Sequence, residues 1–261
     1  METWTVEDHL DIDIDDLRRA GLHLIGGDVA FTAGEGPAHL EVTRITGHPV
    51  MVTLAGGALE VRCETSGWWP FRNHHDCQSA VALVGPAATE LRVDTVSAEA
   101  VVAGLGGPLD VRAVSGGVVL DALTGPVHLK TVSGAVEARG LASEFEVTTV
   151  SGDVTVVGAR CPLIRAKSVS GAVTLDSALG PGGVYDFTSV SGTVCLRLPD
   201  DTSADVEVVS VSGQFDCAFD GVGLDNRPGR RKASGRIGAG GSDVRIKTTS
   251  GNVAVLASRA A

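Results

Sequence analysis

Aromatic residues are scarce in this chain: 4% of the sequence, with one tyrosine, three tryptophans and six phenylalanines. A chain of 261 residues that is 43% hydrophobic can still bury a large core, but one filled with small and β-branched side chains, which suits a thin interior. Cationic charge is also short, 21 Lys+Arg against 32 Asp+Glu for a net charge of -11. That balance excludes nucleic acid as a general partner, because phosphate binding needs a basic surface. No stretch approaches the roughly 20 consecutive apolar residues that cross a bilayer. The opening, Met1 to Asp16, is acidic and has no apolar signal core, and Leu256 to Ala261 carries no anchor or sorting signal; a cytoplasmic protein is expected. The five cysteines, Cys63, Cys77, Cys161, Cys195 and Cys217, are odd in number and unclustered. They are expected to be free, buried and inert rather than a disulfide framework.

Glycine and repetition are abundant instead. Val-Ser-Gly recurs at Ser115-Gly116, Ser133-Gly134, Ser151-Gly152, Ser170-Gly171, Ser191-Gly192 and Ser212-Gly213, with a Thr-Ser-Gly variant at Ser250-Gly251. The serines lie 18, 18, 19, 21, 21 and 38 residues apart. Six and four residues before each serine, and three and five after it, the chain is apolar: Phe145/Val147 before and Val154/Val156 after Ser151, for example. Period-two alternation on both sides of a Ser-Gly predicts two short strands, each with one buried face, joined at a corner. Glycine there is expected to supply the backbone angles of the corner.

A unit this short cannot bury its own apolar face, so the units must stack. The repeat fits an all-β, parallel β-solenoid with coils of about 18 to 21 residues, since parallel stacking lays Val on Val, Ser on Ser and Gly on Gly. At roughly 4.8 Å between strands, eight coils would span about 35 to 40 Å. Residues 91-261 form the repeat region. Residues 1-90 are β-rich, with Gly27, Gly47 and Gly67 spaced by 20, and are read as early coils or a cap of the same solenoid. Trp68 to Cys77 interrupts the pattern and offers aromatics for a cap or plug.

No catalytic constellation emerges. A serine repeated in every coil is explained by corner geometry, not by activation of a nucleophile. Cys63, His74, His75, Asp76 and Cys77 have metal-ligand chemistry but match no closed four-ligand motif, and adjacent histidines on a strand point apart. The outward row three residues before each serine reads Arg112, Lys130, Thr148, Lys167, Thr188, Val209 and Lys247. It holds no carboxylate pair of the kind a carbohydrate-active β-helix enzyme would need. No cofactor, metal or catalytic residue is assigned. One local exception to the acidic balance is the insertion carrying Arg227, Arg230, Arg231, Lys232 and Arg236, read as a candidate interaction loop for an acidic partner, the chain's own acidic N-terminus or an anionic lipid surface. Arg230 to Ser234 also has the form of a basophilic kinase site.

The Thr/Ser-Val-Ser-Gly-x-Val units, at Lys130 to Val136, Thr148 to Val154 and Thr188 to Val194, resemble the DUF4097 family of bacterial β-strand repeat proteins. The resemblance covers roughly residues 90 to 256, and Trp4-Thr5-Val6 and Gly26 to Val29 resemble the opening of actinobacterial members. It implies a right-handed parallel β-helix with no established activity, an adhesin label, and in some bacteria an association with envelope-stress systems. Together these readings give a non-enzymatic structural or interaction scaffold whose partner is another protein or a second copy. The alternatives are an envelope-stress component touching membrane or an acidic partner through residues 227-236, and a carbohydrate-active enzyme.

Overall fold

A computed structural model describes residues 1–63, 77–227 and 230–258. Every regular element among them is a strand. The chain divides into two compact units, Met1–Leu129 and Lys130–Ala261.

The first unit contains β1 (Glu2–Val6), β2 (Leu10–Ile14), β3 (Arg19–Leu24), β4 (Gly26–Ala33), β5 (Ala38–Thr46), β6 (Val50–Ala55), β7 (Ala58–Cys63), β8 (Gln78–Gly85), β9 (Glu90–Thr95), β10 (Glu99–Ala103), β11 (Leu109–Ala113) and β12 (Val118–Asp121). β13 (Val127–Thr131) spans the division. Two sheets run side by side here, β1-β6-β7-β3-β9-β11 and β2-β5-β8-β4-β10-β12. β3 and β4 pair in parallel with β9 and β10, and β7 and β8 pair in parallel with β3 and β4. Beyond them β6, β5, β1 and β2 pair antiparallel. The early residues therefore carry both parallel and antiparallel pairings.

The second unit contains β14 (Val136–Arg139), β15 (Phe145–Thr149), β16 (Val154–Val157), β17 (Leu163–Ser168), β18 (Val173–Asp176), β19 (Val184–Ser189), β20 (Val194–Pro199), β21 (Ala204–Ser210), β22 (Phe215–Cys217), β23 (Val222–Arg227), β24 (Arg230–Ile237), β25 (Ser242–Thr248) and β26 (Val253–Ser258). Its sheets run β15-β17-β19-β25-β21-β24-β23 and β14-β16-β18-β20-β26-β22. The last repeat in sequence is thus not the last in space. β25 sits between β19 and β21, and β26 between β20 and β22, all in parallel.

The expected apolar pairs are the inward positions. Val136, Val154, Val173, Val194 and Val253 align in one buried ladder. Phe145, Ile164, Tyr185, Val244 and Val206 align in another. A narrow core of this kind tolerates its one tyrosine because the hydroxyl is satisfied: Tyr185 donates to the Cys161 carbonyl at 2.9 Å and accepts from the Gly180 amide at 2.6 Å. Burial pushes the tyrosine hydroxyl's pKa up, and it pushes the Cys161 thiol up to about 11, so Cys161 is an inert buried thiol.

Two expectations about cysteine and glycine need correction. Cys63 and Cys77 form a disulfide, although their separation of 14 residues resembled no framework; it ties the end of β7 to the residue that precedes β8. The Val-Ser-Gly glycines do not hold left-handed angles. They are glycine because of what lies beside them. A Cβ at Gly152, Gly171 or Gly192 would fall on the carbonyl of the preceding glycine in the ladder, Gly134, Gly152 or Gly171, far inside the roughly 3.5 Å at which carbon meets its neighbours.

Left-handed angles occur at the other corner, seven residues past Ser97, Ser115, Ser133 and Ser151. Gly104, Gly140 and Gly158 have φ of 73°, 62° and 63°, and Ala122, at the matching place, has φ of 54°. Alanine in that region costs about 1–2 kcal/mol, partly offset by the chain entropy glycine would lose. Ala122→Gly is therefore expected to stabilise the protein by roughly 0.5–1 kcal/mol, measurable as a rise of a few degrees in Tm; an unchanged or lower Tm would contradict the assignment.

Candidate functional site: the outward rows of the second unit

Each Ser-Gly corner is a hydrogen-bonding rung. Ser151, Ser170, Ser191 and Ser250 donate their hydroxyls to the carbonyls of Val132, Val150, Val169 and Val190, at 3.2 to 3.3 Å. The backbone amides of the same serines donate to the same carbonyls. Ser212 donates to Thr249, so the spatial order is 190, 249, 211. In the first unit, Ser115 makes the same contact with Val96. In the second unit a buried hydroxyl two residues before the serine completes the rung. Thr149, Ser210 and Thr248 accept from the amides of Gly152, Gly213 and Gly251, at 2.8 to 2.9 Å, and Thr131 accepts from Gly134 at 3.1 Å. The serine hydroxyls are thus committed to structure. No imidazole or carboxylate partner activates them in these bonds.

The valine of each motif faces solvent. Val150, Val169, Val190 and Val211 are each about half exposed, 46 to 51%, and form an outward ridge in which Thr249 stands between Val190 and Val211. Two residues earlier, on the same outward face of the sheet, register places Thr148, Lys167, Thr188, Lys247, Val209 and Lys232 in one row. Lysine occupies every second rung. Reading the same positions in chain order hides this regularity, because Lys247 follows Val209 in sequence but precedes it in space. Lys167 and Lys247 are exposed and form no ion pair among the described residues; Lys232 pairs with Glu207 at 2.6 Å.

A further two residues back, the row reads Glu146, Arg165, Asp186, Arg245 and Glu207. Its charges alternate. Arg165 meets Glu146 at 2.7 Å, and Arg245 stands between Asp186 and Glu207. Stacking in chain order would set those two carboxylates side by side, which disfavours it.

The expected interaction loop is a hairpin. Arg230, Arg231, Lys232 and Arg236 belong to β24, which pairs antiparallel with β21 and β23, and Arg227 ends β23. The 38-residue spacing reflected an inserted hairpin rather than a loop. Much of its charge is already used: Arg236 meets Asp205 at 2.8 Å, Lys232 meets Glu207, and Arg231 donates to the Gly213 carbonyl at 2.9 Å. Hydrogen bonds from Arg236 and Lys232 hold the carboxyls of Asp205 and Glu207 below their usual range. A depressed folded pKa means the contribution is present above the unfolded value, near 4, and is lost as pH falls through the folded one. Protection of the β24 amides, taken against their intrinsic exchange rates at each pH, is expected to fall on acidification below about pH 4, with that of β16 and β18 unchanged; uniform protection would contradict the pairing.

Of the suggested metal cluster, His74, His75 and Asp76 lie outside the described residues, as does Trp68 to Asp76 as a whole. Cys63 and Cys77 are joined to each other and offer no thiolate. Among the described residues no group of three or more His, Cys, Asp or Glu is placed to hold a metal ion. In the first unit, His23 lies between two carboxylates, Nε2 at 3.1 Å from Glu60 and Nδ1 at 2.8 Å from Asp94. Its two nitrogens point to different partners, so this is a strand-to-strand bridge and not a convergent ligand set.

No helix among the described residues is long and apolar enough to cross a membrane. No curated protein matches the chain. Among solved structures, a candidate adhesin from Bacteroides fragilis is 11% identical, with 98% of this chain and 97% of that one covered and a TM-score of 0.45. A candidate lipid-binding protein from Parabacteroides distasonis is 14% identical, with 97% and 94% covered and a TM-score of 0.45. A candidate adhesin from the same species is 10% identical, with 98% and 97% covered and the same TM-score. The family model for Toastrack DUF4097 matches residues 87–256, the span of the rungs described above, and this chain belongs to that family.

Proposed function

We propose that this protein is a non-enzymatic interaction scaffold that presents repeated rows of side chains to a partner. The observation that carries this reading is the rung: the hydroxyls of Ser151, Ser170, Ser191, Ser212 and Ser250 are each spent on a neighbouring carbonyl, while the outward rows repeat in register. A catalytic site needs convergence of unlike groups at one point, whereas rows of like groups suit an extended contact. Incubation with a panel of polysaccharides, read by size-exclusion chromatography, should leave their chain length unchanged. Shortened chains would instead support the carbohydrate-active alternative.

Self-association is part of the proposal. The second sheet of the second unit ends in β22, three residues long, with Phe215 and Cys217 only partly buried, and a free strand edge is a template for another strand. Sedimentation velocity over a concentration series tests it, and a strict monomer at high concentration would remove it. Contact with membrane or an acidic partner through residues 227-236 is the weaker reading, because Asp205 and Glu207 already neutralise two of the cations. The Cys63–Cys77 disulfide weighs against the cytoplasmic setting expected from sequence, since such bonds persist mainly in oxidising compartments. Alkylation and mass spectrometry of protein from its native source would decide.

A further inference from the structure

We propose that the lysine-threonine row on the outward face of β15, β17, β19, β25, β21 and β24 is a binding track for a linear anionic glycan with one carboxylate per disaccharide. This inference rests on the scaffold reading and gives it a partner. The row is one residue wide and periodic. Lysines on alternate rungs stand roughly 9.5 Å apart, two interstrand steps of about 4.8 Å, which is about the length of a disaccharide in an extended chain. The side chains of Thr148 and Thr188 flank Lys167 in the same row and offer hydroxyls that both donate and accept, as sugar hydroxyls require. Alongside run Val150, Val169 and Val190, an apolar lip for the C–H faces of sugar rings, followed by Thr249 and Val211.

Charge complementarity selects the partner. Lys167 and Lys247 have no ion pair among the described residues, so each can take a carboxylate, Lys247 in competition with Glu207, which it helps Lys232 to hold ionised. An anionic bilayer fits less well, because a plane would also press on Glu146, Asp186 and Glu207 in the next row, whereas a single strand lying along the lysines meets only Glu207, where it pairs with Lys232. The overall charge of -11 does not forbid binding, since carboxylates beyond about 8 Å are largely screened at physiological ionic strength. It does require that binding be weak and strongly dependent on salt.

The test uses the full chain and a hyaluronan oligosaccharide long enough to span three lysines, with a neutral chitin oligosaccharide of equal length and anionic vesicles as comparators. Calorimetry at physiological ionic strength, where the distant carboxylates are screened, should show binding to hyaluronan alone. Each of Lys167→Gln and Lys247→Gln should weaken it about two- to fivefold, the range of one exposed charge contact, and the double variant roughly tenfold. Arg160→Gln, an equal charge change at an exposed site away from the row, should leave it unchanged, and matching melts of all variants exclude misfolding. No hyaluronan binding, binding indifferent to the double variant, or binding to vesicles in its place would each overturn the proposal. None of those results touches the scaffold reading, which falls only if the polysaccharide panel is cleaved.

Discussion

Gly152→Ala is expected to lower the stability of the second unit by about 3 kcal/mol, at the upper end of overpacking costs, and its Tm by roughly 6–12 °C. The size follows from what the new methyl would meet. At Gly152 a Cβ lands on the Gly134 carbonyl, and Gly171 above it stacks on Gly152 in the same way. Backbone cannot step aside as a flexible side chain can, so the two strands must separate, and the bonds from Ser151 and Ser170 to their neighbouring carbonyls lengthen with them. A requirement for left-handed angles would predict something different, since alanine would then suffer by only about 1–2 kcal/mol. A melt of Gly152→Ala within a degree or two of the wild type would refute the close-approach account.

Deletion of residues 242–258 should abolish cooperative folding of the second unit. That segment supplies β25 and β26, which lie inside the stack between β19 and β21 and between β20 and β22. Val244, Ile246, Val253 and Val255 are at most 2% exposed. Burying four such side chains is worth about 1.5–3 kcal/mol each, so roughly 6–12 kcal/mol in all, comparable with the entire stability of about 5–15 kcal/mol for a typical domain. In a solenoid stacked in chain order, losing the last repeat would only shorten it. Hydrogen exchange of the truncated chain decides between these. Protection persisting in both β19 and β21 at wild-type levels would mean the last repeat is peripheral.

The strands themselves were legible in the sequence because period-two burial is a local property. Val154 and Val156 declare an inward face whatever stands next to them. The Ser-Gly corner was legible as geometry for the same reason, but its cause was not. Whether a glycine answers to its own angles or to a neighbour's carbonyl depends on the adjacent strand, and Gly152 looks the same in either case. Order in space was hidden for a related reason. All seven repeats have interchangeable inward residues, so apolar pattern cannot say which follows which; the information lies outside, in Arg245 between Asp186 and Glu207. The same reordering concealed the lysine row. The Cys63–Cys77 bond joins the end of β7, in one sheet, to the residue before β8, in the other, across 14 residues of sequence, which spacing alone does not reveal. The basic residues of 230 to 236 read as a loop because their alternation with Glu207 and Asp205 arises only when β24 lies against β21.

The most direct test of the interleaved stack is cysteine cross-linking along the valine ridge. Backbone bonds place position 190 beside 249 and 249 beside 211, one interstrand step of about 4.8 Å each and within disulfide reach, whereas 190 and 211 are two steps apart and beyond it. Under mild oxidation, peptide mapping should find a cross-link in Val190→Cys/Thr249→Cys and in Thr249→Cys/Val211→Cys, and none in Val190→Cys/Val211→Cys. A cross-link between 190 and 211, with 249 joined to neither, would show that the repeats stack in chain order and that the account is wrong.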